Sequence, residues 1–345
     1  STLLASSAAS DVYKRQLPFY LAMEEWLARN FTEEFFFLWQ VRPTVIFGRN
    51  QIPQSELDLD YCRREGIRFF RRKSGGGCVF ADMNNVMFSY ICTSPEVATT
   101  FTGFTSRVAA MLRDSMGIAE AHTTGRNDIC IGDHKVSGYA FYNINLPASS
   151  TAPARCRAIV HGTMLHDADI PRMTAALTPA PVKLQAKGVE SVRSRITTLS
   201  QHSPMGLEEF KQLAVSSLCS GVMELTEADV EQIEQIARPY FTDSWTFGSH
   251  RKGGFTPPQR RRVEGAGEFA VTLTPDGSRP GVIGEVDLKG DYFLLSDLQP
   301  LLDSLRGVRL DRQSIMEALA GNSPEKVIRG LDAAALADLL IDSGM

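Results

Sequence analysis

The stretch "RRKSGGGCVF", residues 71–80, sets Arg71, Arg72 and Lys73 just ahead of Gly75, Gly76 and Gly77. Consecutive glycines can take positive φ and carry no Cβ, so a ligand can reach their backbone N–H groups. Successive N–H groups in such a turn form a concave anion site. A guanidinium at the end of the preceding strand would add bidentate phosphate recognition, and Ser74 adds a hydroxyl. Strand side chains alternate, so only one of Arg71 and Arg72 can face the same side as the turn. The pattern is neither a Walker loop, which needs G-x-x-x-x-G-K-[ST], nor a G-x-G-x-x-G opening a helix. On spacing alone, a phosphate or carboxylate site and a ligand-free glycine-rich hairpin both remain open.

Further segments hold residues of the same chemical kind. "GRNDICIGDHKVSG" (125–138) brings Asn127, Asp128 and Lys135 close to Ser137-Gly138. "VHGTML" carries His161 beside Gly162, and "KGVESVRSRITTL" carries Lys187, Arg193 and Arg195. Taken singly, each reads as structural, Lys135 as a solvated turn lysine. The six cysteines, Cys62, Cys78, Cys92, Cys130, Cys156 and Cys219, are scattered without a C-x-x-C pair. A zinc site or disulfide framework is not expected, and reduced thiols in a cytoplasmic protein are.

The elements that position these residues follow from apolar spacing. Phe19, Met23, Trp26 and Leu27 share a helical face with Pro18 at its entrance. "EEFFFLWQVRPTVIFGRN" reads as two short strands around Arg42-Pro43, with Phe35–Trp39 as core. The glycine segment reads as strand, turn, strand, and so does "TTGRNDICIGDHKVSGYAFY"; "AIVHGTMLHDAD" repeats that pattern. A helix covers roughly 100–116. The stretch 248–265, rich in Gly, Pro and Arg, reads as a linker, and "EFAVTLTPDGSRPGVIGEVDLKGDYF" as a three-stranded meander before short helices.

The 345 residues are 43% hydrophobic and 22% charged, with net charge −4, which suits one large domain and a small one. Mild acidity argues against a dedicated nucleic-acid binder. No apolar run reaches the roughly 18–20 residues that span a bilayer. In "STLLASSAASDVYKRQ" the charges follow the apolar part, the wrong order for a signal peptide. Residues 1–16 are read as a disordered tail or cloning scar, and no membrane association is expected.

Together "RRKSGGGCVFADMNN", "GRNDICIGDHKVSG", "HGTMLHDADI" and "KLQAKGVESVRSRITTL" resemble, in order, the signature segments of the lipoate–protein ligase A family. "LAMEEWL" and "SWTFGS" resemble that family's opening helix and the end of its catalytic domain. The resemblance implies an α+β fold: a mixed, largely antiparallel sheet flanked by helices, as in biotin ligases and class II aminoacyl-tRNA synthetases. A small α+β accessory domain would follow. The boundaries expected are 17–248 for the catalytic domain, 249–264 for a linker and 265–345 for the accessory domain.

The resemblance also implies a two-step reaction. ATP and lipoate form lipoyl-adenylate, and a lysine of an apo lipoyl domain then attacks it. The carriers implied are 2-oxoacid dehydrogenase E2 subunits and the glycine cleavage H protein, served by a monomer without a tightly bound prosthetic group. Arg72, Ser74, Gly75, Gly76, Gly77, Cys78, Val79, Phe80, Asn85, Asn127, Asp128 and Lys135 would hold ATP or the adenylate. Gly77, Val79, Val45, Lys135, Ser137, Gly138 and His161 would hold lipoate, with Val136 beside them. Asp128 would place Mg²⁺, and Lys135 would be the catalytic cation. Ala81 stands where relatives often carry His, Asn84 where a glycine is common, and Cys78 where Ala is common. Two alternatives stand beside this one. An ATP-independent lipoyl or octanoyl transferase of the same fold could work through Cys78. A non-catalytic lipoate- or nucleic-acid-binding module could use "HRKGGFTPPQRRR" as a basic patch.

Overall fold

Large apolar residues alternate along the central strands, so the sheet has two faces to bury and a helix covers each. β2 (Glu34–Trp39) sends Phe35 and Phe37 to one side and Phe36 to the other, as the two-residue period of a strand requires. β10 (Arg155–Leu165) likewise sends Ile159 to the first face and Ala158 and Val160 to the second. The helix Leu17–Asn30 packs on the first face and Val97–Met116 on the second. The structure is a computed structural model and describes residues 2–6, 15–94, 96–125, 127–148, 153–177, 195–248 and 259–344.

Among the described residues the main sheet has eight strands. They run β11 (Gly221–Glu224), β1 (Thr2–Ser6), β2, β6 (Asn85–Thr93), β10, β9 (His134–Leu146), β8 (Asp128–Ile131) and β7 (Ala121–Thr123). From β2 to β7 every pairing is antiparallel, while β1 runs parallel to both neighbours. Residues 2–6 therefore belong to the sheet and are not a disordered tail: their backbone N–H and C=O groups are paired between β2 and β11. "AIVHGTMLHDAD" yields the single strand β10, and the helix Ile170–Ala176 follows instead of a second strand, with the Asp169 carboxylate accepting from the Arg172 N–H.

A smaller sheet carries the glycine turn. β3 (Thr44–Phe47) is its centre, with β4 (Arg68–Arg71) parallel on one side and β5 (Val79–Ala81) antiparallel on the other. The turn between β4 and β5 thus crosses the end of β3. This excludes the hairpin, because the strands it joins are not neighbours.

The last part of the chain has its own apolar core, built from Phe269, Ile283, Leu301, Ile315 and Leu336 among others. Its sheet is β12 (Arg260–Val263), β13 (Gly267–Pro275) and β14 (Ile283–Gly290), covered by helices Gln299–Leu305, Arg312–Leu319 and Ala333–Ser343. Two expectations change here. The stretch read as a three-stranded meander supplies two strands, and the third, β12, comes from within the expected linker. Its arginines lie in the stretch read as a linker, yet Arg260 bridges Glu56 and Glu268 and Arg261 pairs with Asp342. Residues 249–258 of that stretch lie outside the described residues, as do Lys187 and Arg193. Among the described residues no helix is long and apolar enough to cross a membrane.

Candidate active site

Two buried arginines precede the turn, and the second of them holds it. Arg71 donates to the carbonyls of Trp245 (2.9 Å), Thr246 (2.7 Å), Arg49 (2.6 Å) and Gln51 (2.7 Å), and Trp245 Nε1 donates back to Arg71 O. Arg72 donates through Nε to Ser74 Oγ (2.9 Å), through Nη1 to Ile46 O (3.1 Å), and through Nη2 to Gly75 O (2.5 Å) and Gly77 O (2.8 Å). Burial pushes both guanidinium pKa values down to about 10, because desolvation penalises the charged form. Arg72 was expected to pair with phosphate directly; its hydrogen bonds go to the turn instead.

The close packing of this turn needs glycine. Gly76 has φ +84°, and a Cβ on Gly75 would collide with Tyr292 O, whose carbonyl also accepts the Gly76 N–H at 3.2 Å. Tyr292 and Phe293 follow β14, so the C-terminal part docks on the turn itself. No backbone carbonyl among the described residues accepts the Gly77 N–H.

A cavity of about 790 Å³ opens beside the turn. Its inner wall is apolar, with Leu21, Trp39, Ile46, Val79 and Met87. Its outer part is polar, with Gly76, Gly77, Asn127, Asp128, Lys135 and Arg195, and Arg262 and Arg329 join from the C-terminal part. Within the polar part, Lys135 Nζ lies 2.7 Å from Asp128 Oδ1. It lies over Gly138, where an added Cβ would sit 2.5 Å from Nζ. Burial lowers the Arg195 pKa; Asp128 opposes that shift and the nearby Arg262 adds to it.

Residues 16–219 match the family described as "Lipoyl protein ligase A/B catalytic domain", and residues 255–340 match "Bacterial lipoate protein ligase C-terminus". The chain is 32% identical over 310 residues to lipoate–protein ligase 1 of Staphylococcus aureus, covering 87% of this chain and 89% of that one. Against lipoate-protein ligase LplJ of Bacillus subtilis it is 30% identical, covering 87% and 89%. The chain belongs to the lipoate–protein ligase family. Solved structures share the fold. P. falciparum LipL1 in complex with lipoate superposes with TM-score 0.70 at 20% identity, covering 99% of this chain and 98% of that one. A lipoate-protein ligase A bound with ATP gives 0.56 at 22%, covering 72% and 98%. The bipartite lipoate protein ligase of Thermoplasma acidophilum, described with its E2 lipoyl domain, gives 0.58 at 23%, covering 74% and 99%.

For this lipoate–protein ligase family member, the structure brings Gly76, Gly77, Cys78, Val79, Phe80, Asn127, Asp128, Lys135, Gly138, His161 and Arg72 to one cavity. Ser74 and Gly75 lie beneath it as part of the turn. Asn85 is fully buried with neither side-chain atom bonded, on the strand face it shares with Met87. Val45 and Val136 do not line the cavity and pack into apolar clusters instead. Ser137 is likewise turned away, and its hydroxyl donates to Thr163 O. Sequence reasoning missed Trp39, assigned wholly to the core, and Glu24. Both Glu24 and Glu25 are buried on a helix whose remaining residues are mostly apolar. Acidic residues inside so apolar a helix were the available signal.

Proposed function

We propose that this chain joins lipoate to protein in two steps, with ATP as the activating co-substrate. A lipoate carboxylate oxygen attacks the α-phosphorus of ATP, forming the mixed anhydride and breaking the bond to pyrophosphate. The unprotonated ε-amine of a carrier lysine then attacks the acyl carbon; the C–O bond to AMP breaks and the nitrogen loses a proton. The observation that carries this reading is Lys135 Nζ, paired with Asp128 in one cavity with Gly76, Gly77 and the apolar side chains of Leu21, Ile46, Val79 and Met87. From there one cation can reach both the acyl oxygen and the α-phosphate as charge develops on them. The Gly77 N–H and the unbonded amide of Asn85 are further candidates for the nucleotide.

Asp128 fits a Mg²⁺ ion that draws its other ligands from phosphate oxygens and water. Among the described residues no group of three or more His, Cys, Asp or Glu side chains offers a closed cage. Mg²⁺ would supply charge neutralisation on the phosphates. The acyl acceptors proposed are apo lipoyl domains, in line with the E2 lipoyl domain named with the T. acidophilum ligase. The thiol reading has less support. Cys78 Sγ donates to the Gln51 amide oxygen at 3.4 Å, which is no base, and His161 is hydrogen-bonded elsewhere.

The test is pyrophosphate release with lipoate, ATP and Mg²⁺, followed by acyl transfer to an apo lipoyl domain. Release should require lipoate, and transfer should require ATP. Transfer from an acyl carrier with ATP inert, together with an acyl adduct on Cys78 by mass spectrometry, would replace this reading with the acyltransferase.

A further inference from the structure

Behind the glycine turn a chain of hydrogen bonds runs from Arg72 to Glu24. Arg72 Nε donates to Ser74 Oγ at 2.9 Å, and Ser74 Oγ lies 2.6 Å from His161 Nε2. His161 Nδ1 lies 2.9 Å from Glu24 Oε1 and 3.0 Å from Oε2. From the other side Trp39 Nε1 donates to Ser89 Oγ at 2.9 Å, and Ser89 Oγ donates to Glu24 Oε1 at 2.5 Å. All six residues are buried, Glu24 completely.

The two ends fix the direction. A guanidinium and an indole N–H can only donate. Ser74 must therefore accept from Arg72, and its hydroxyl hydrogen is free to go to His161 Nε2. Ser89 accepts from Trp39 and gives its hydrogen to Glu24. Both routes end on the Glu24 carboxylate, which leaves the His161 proton on Nδ1. Glu24 also offsets part of the burial that lowers the Arg72 pKa, after the larger contribution of Cys78.

Resting on the ligase reading, we propose that Glu24 is a positioning residue for the nucleotide-binding turn, acting through His161 and Ser74 on Arg72. Arg72 Nη2 grips the carbonyls of Gly75 and Gly77 together, so its orientation sets the aim of the turn amides. Without the carboxylate His161 can move its proton to Nε2. Ser74 then faces two donors, its own hydrogen loses its acceptor, and the support under Arg72 slackens. A misplacement of about 1 Å at a reacting group can cost on the order of 10²-fold in rate.

The experiment compares Glu24→Gln, Ser74→Ala and the double variant in lipoate-dependent pyrophosphate release, with ¹⁵N-histidine and ¹⁵N-glycine NMR of the intact protein. In the wild type His161 should be the Nδ1–H tautomer. Each single variant should lower kcat about 10- to 100-fold while KM for lipoate stays within about threefold. The double variant should be no worse than Ser74→Ala, because the residues act in series. The Gly76 and Gly77 amide resonances should shift or broaden in each variant. An Nε2–H tautomer in the wild type, additive losses, or unchanged glycine resonances would each overturn the proposal. If Glu24→Gln fails to fold, the wild-type tautomer and Ser74→Ala still decide it. Should the wild type release no pyrophosphate with lipoate, the ligase reading fails, while the NMR readouts still judge the positioning chain.

Discussion

The floor and the rim of the cavity hold similar residue types in opposite conditions. On the floor Arg72, like its neighbour Arg71 outside the cavity lining, is buried and hydrogen-bonded to protein carbonyls or Ser74. On the rim, the Lys135 side chain is 31% exposed and, among the described residues, forms one ion pair, with a half-buried Asp128. A donor saturated by protein can serve a ligand only by breaking what it already makes. A donor with spare hydrogens can serve it at once. Positive charge around this cavity therefore divides by saturation: Arg72 is committed to the turn, while Lys135 keeps hydrogens that the proposed reaction can use.

Substitutions on the two sides should separate rate from stability. The largest effect is expected for Lys135→Ala, with pyrophosphate release falling about 10²–10³-fold and the thermal midpoint within about 2 °C of the wild type. A midpoint that drops steeply would move Lys135 to the floor. Arg71→Ala should do the reverse first, losing about 3 kcal/mol or more in chemical denaturation, since it leaves several buried carbonyls without donors. Gly138→Ala tests how the rim is built. The new Cβ meets the flexible end of Lys135, so turnover should drop about tenfold for a stability change of about 1 kcal/mol; unchanged turnover would show that Lys135 does not need that path.

The smallest effect is expected at Glu25. Burial alone would raise its pKa, but Lys73 and Arg29 outweigh burial and hold it below the ordinary glutamate value. A carboxyl depressed in the folded state adds stability above its unfolded pKa of about 4.3. That contribution is lost as pH falls through the lower folded value. Glu25→Gln should therefore cost about 1 kcal/mol at pH 7, with the gap to wild type closing as the solution is acidified below about pH 4. A gap independent of pH would mean that packing, not charge, holds Lys73 there.

How much of this could be read in the sequence depended on range. The β2 and β3 strands, the 97–116 helix and the glycine turn rest on local alternation, spacing and glycine placement, and the expected positions agree with the structure to within a few residues. Lys135 and Asp128 read as structural one by one, and the turn at Gly77 leaves two readings open; all three stood out only because their segments, taken in order, resemble those of the ligase family. What stayed hidden depends on residues far apart in the chain. Nothing near Arg260 reveals that Glu56 will neutralise it, so a strand read as a linker. Nothing near Glu24 shows that His161 lies 137 residues on at hydrogen-bonding distance. Val45 and Val136 were placed on the wall because apolar type is visible in a sequence, while the side of a strand that meets a cavity is set by sheet packing.

Arg71 also bears on the order in which the protein can be assembled during synthesis. Its carbonyl partners at Trp245 and Thr246 are made 174 and 175 residues after it. Until they leave the ribosome, a cation destined for burial has only the Gly48–Gln51 segment to bond. The small sheet beneath the glycine turn can then fold early only in a loosened form, and it tightens when the helix Asp243–Phe247 arrives and closes the long loop. That helix comes before the C-terminal core has begun to be made. The pocket floor should therefore mature while the part that docks on it is still unsynthesised.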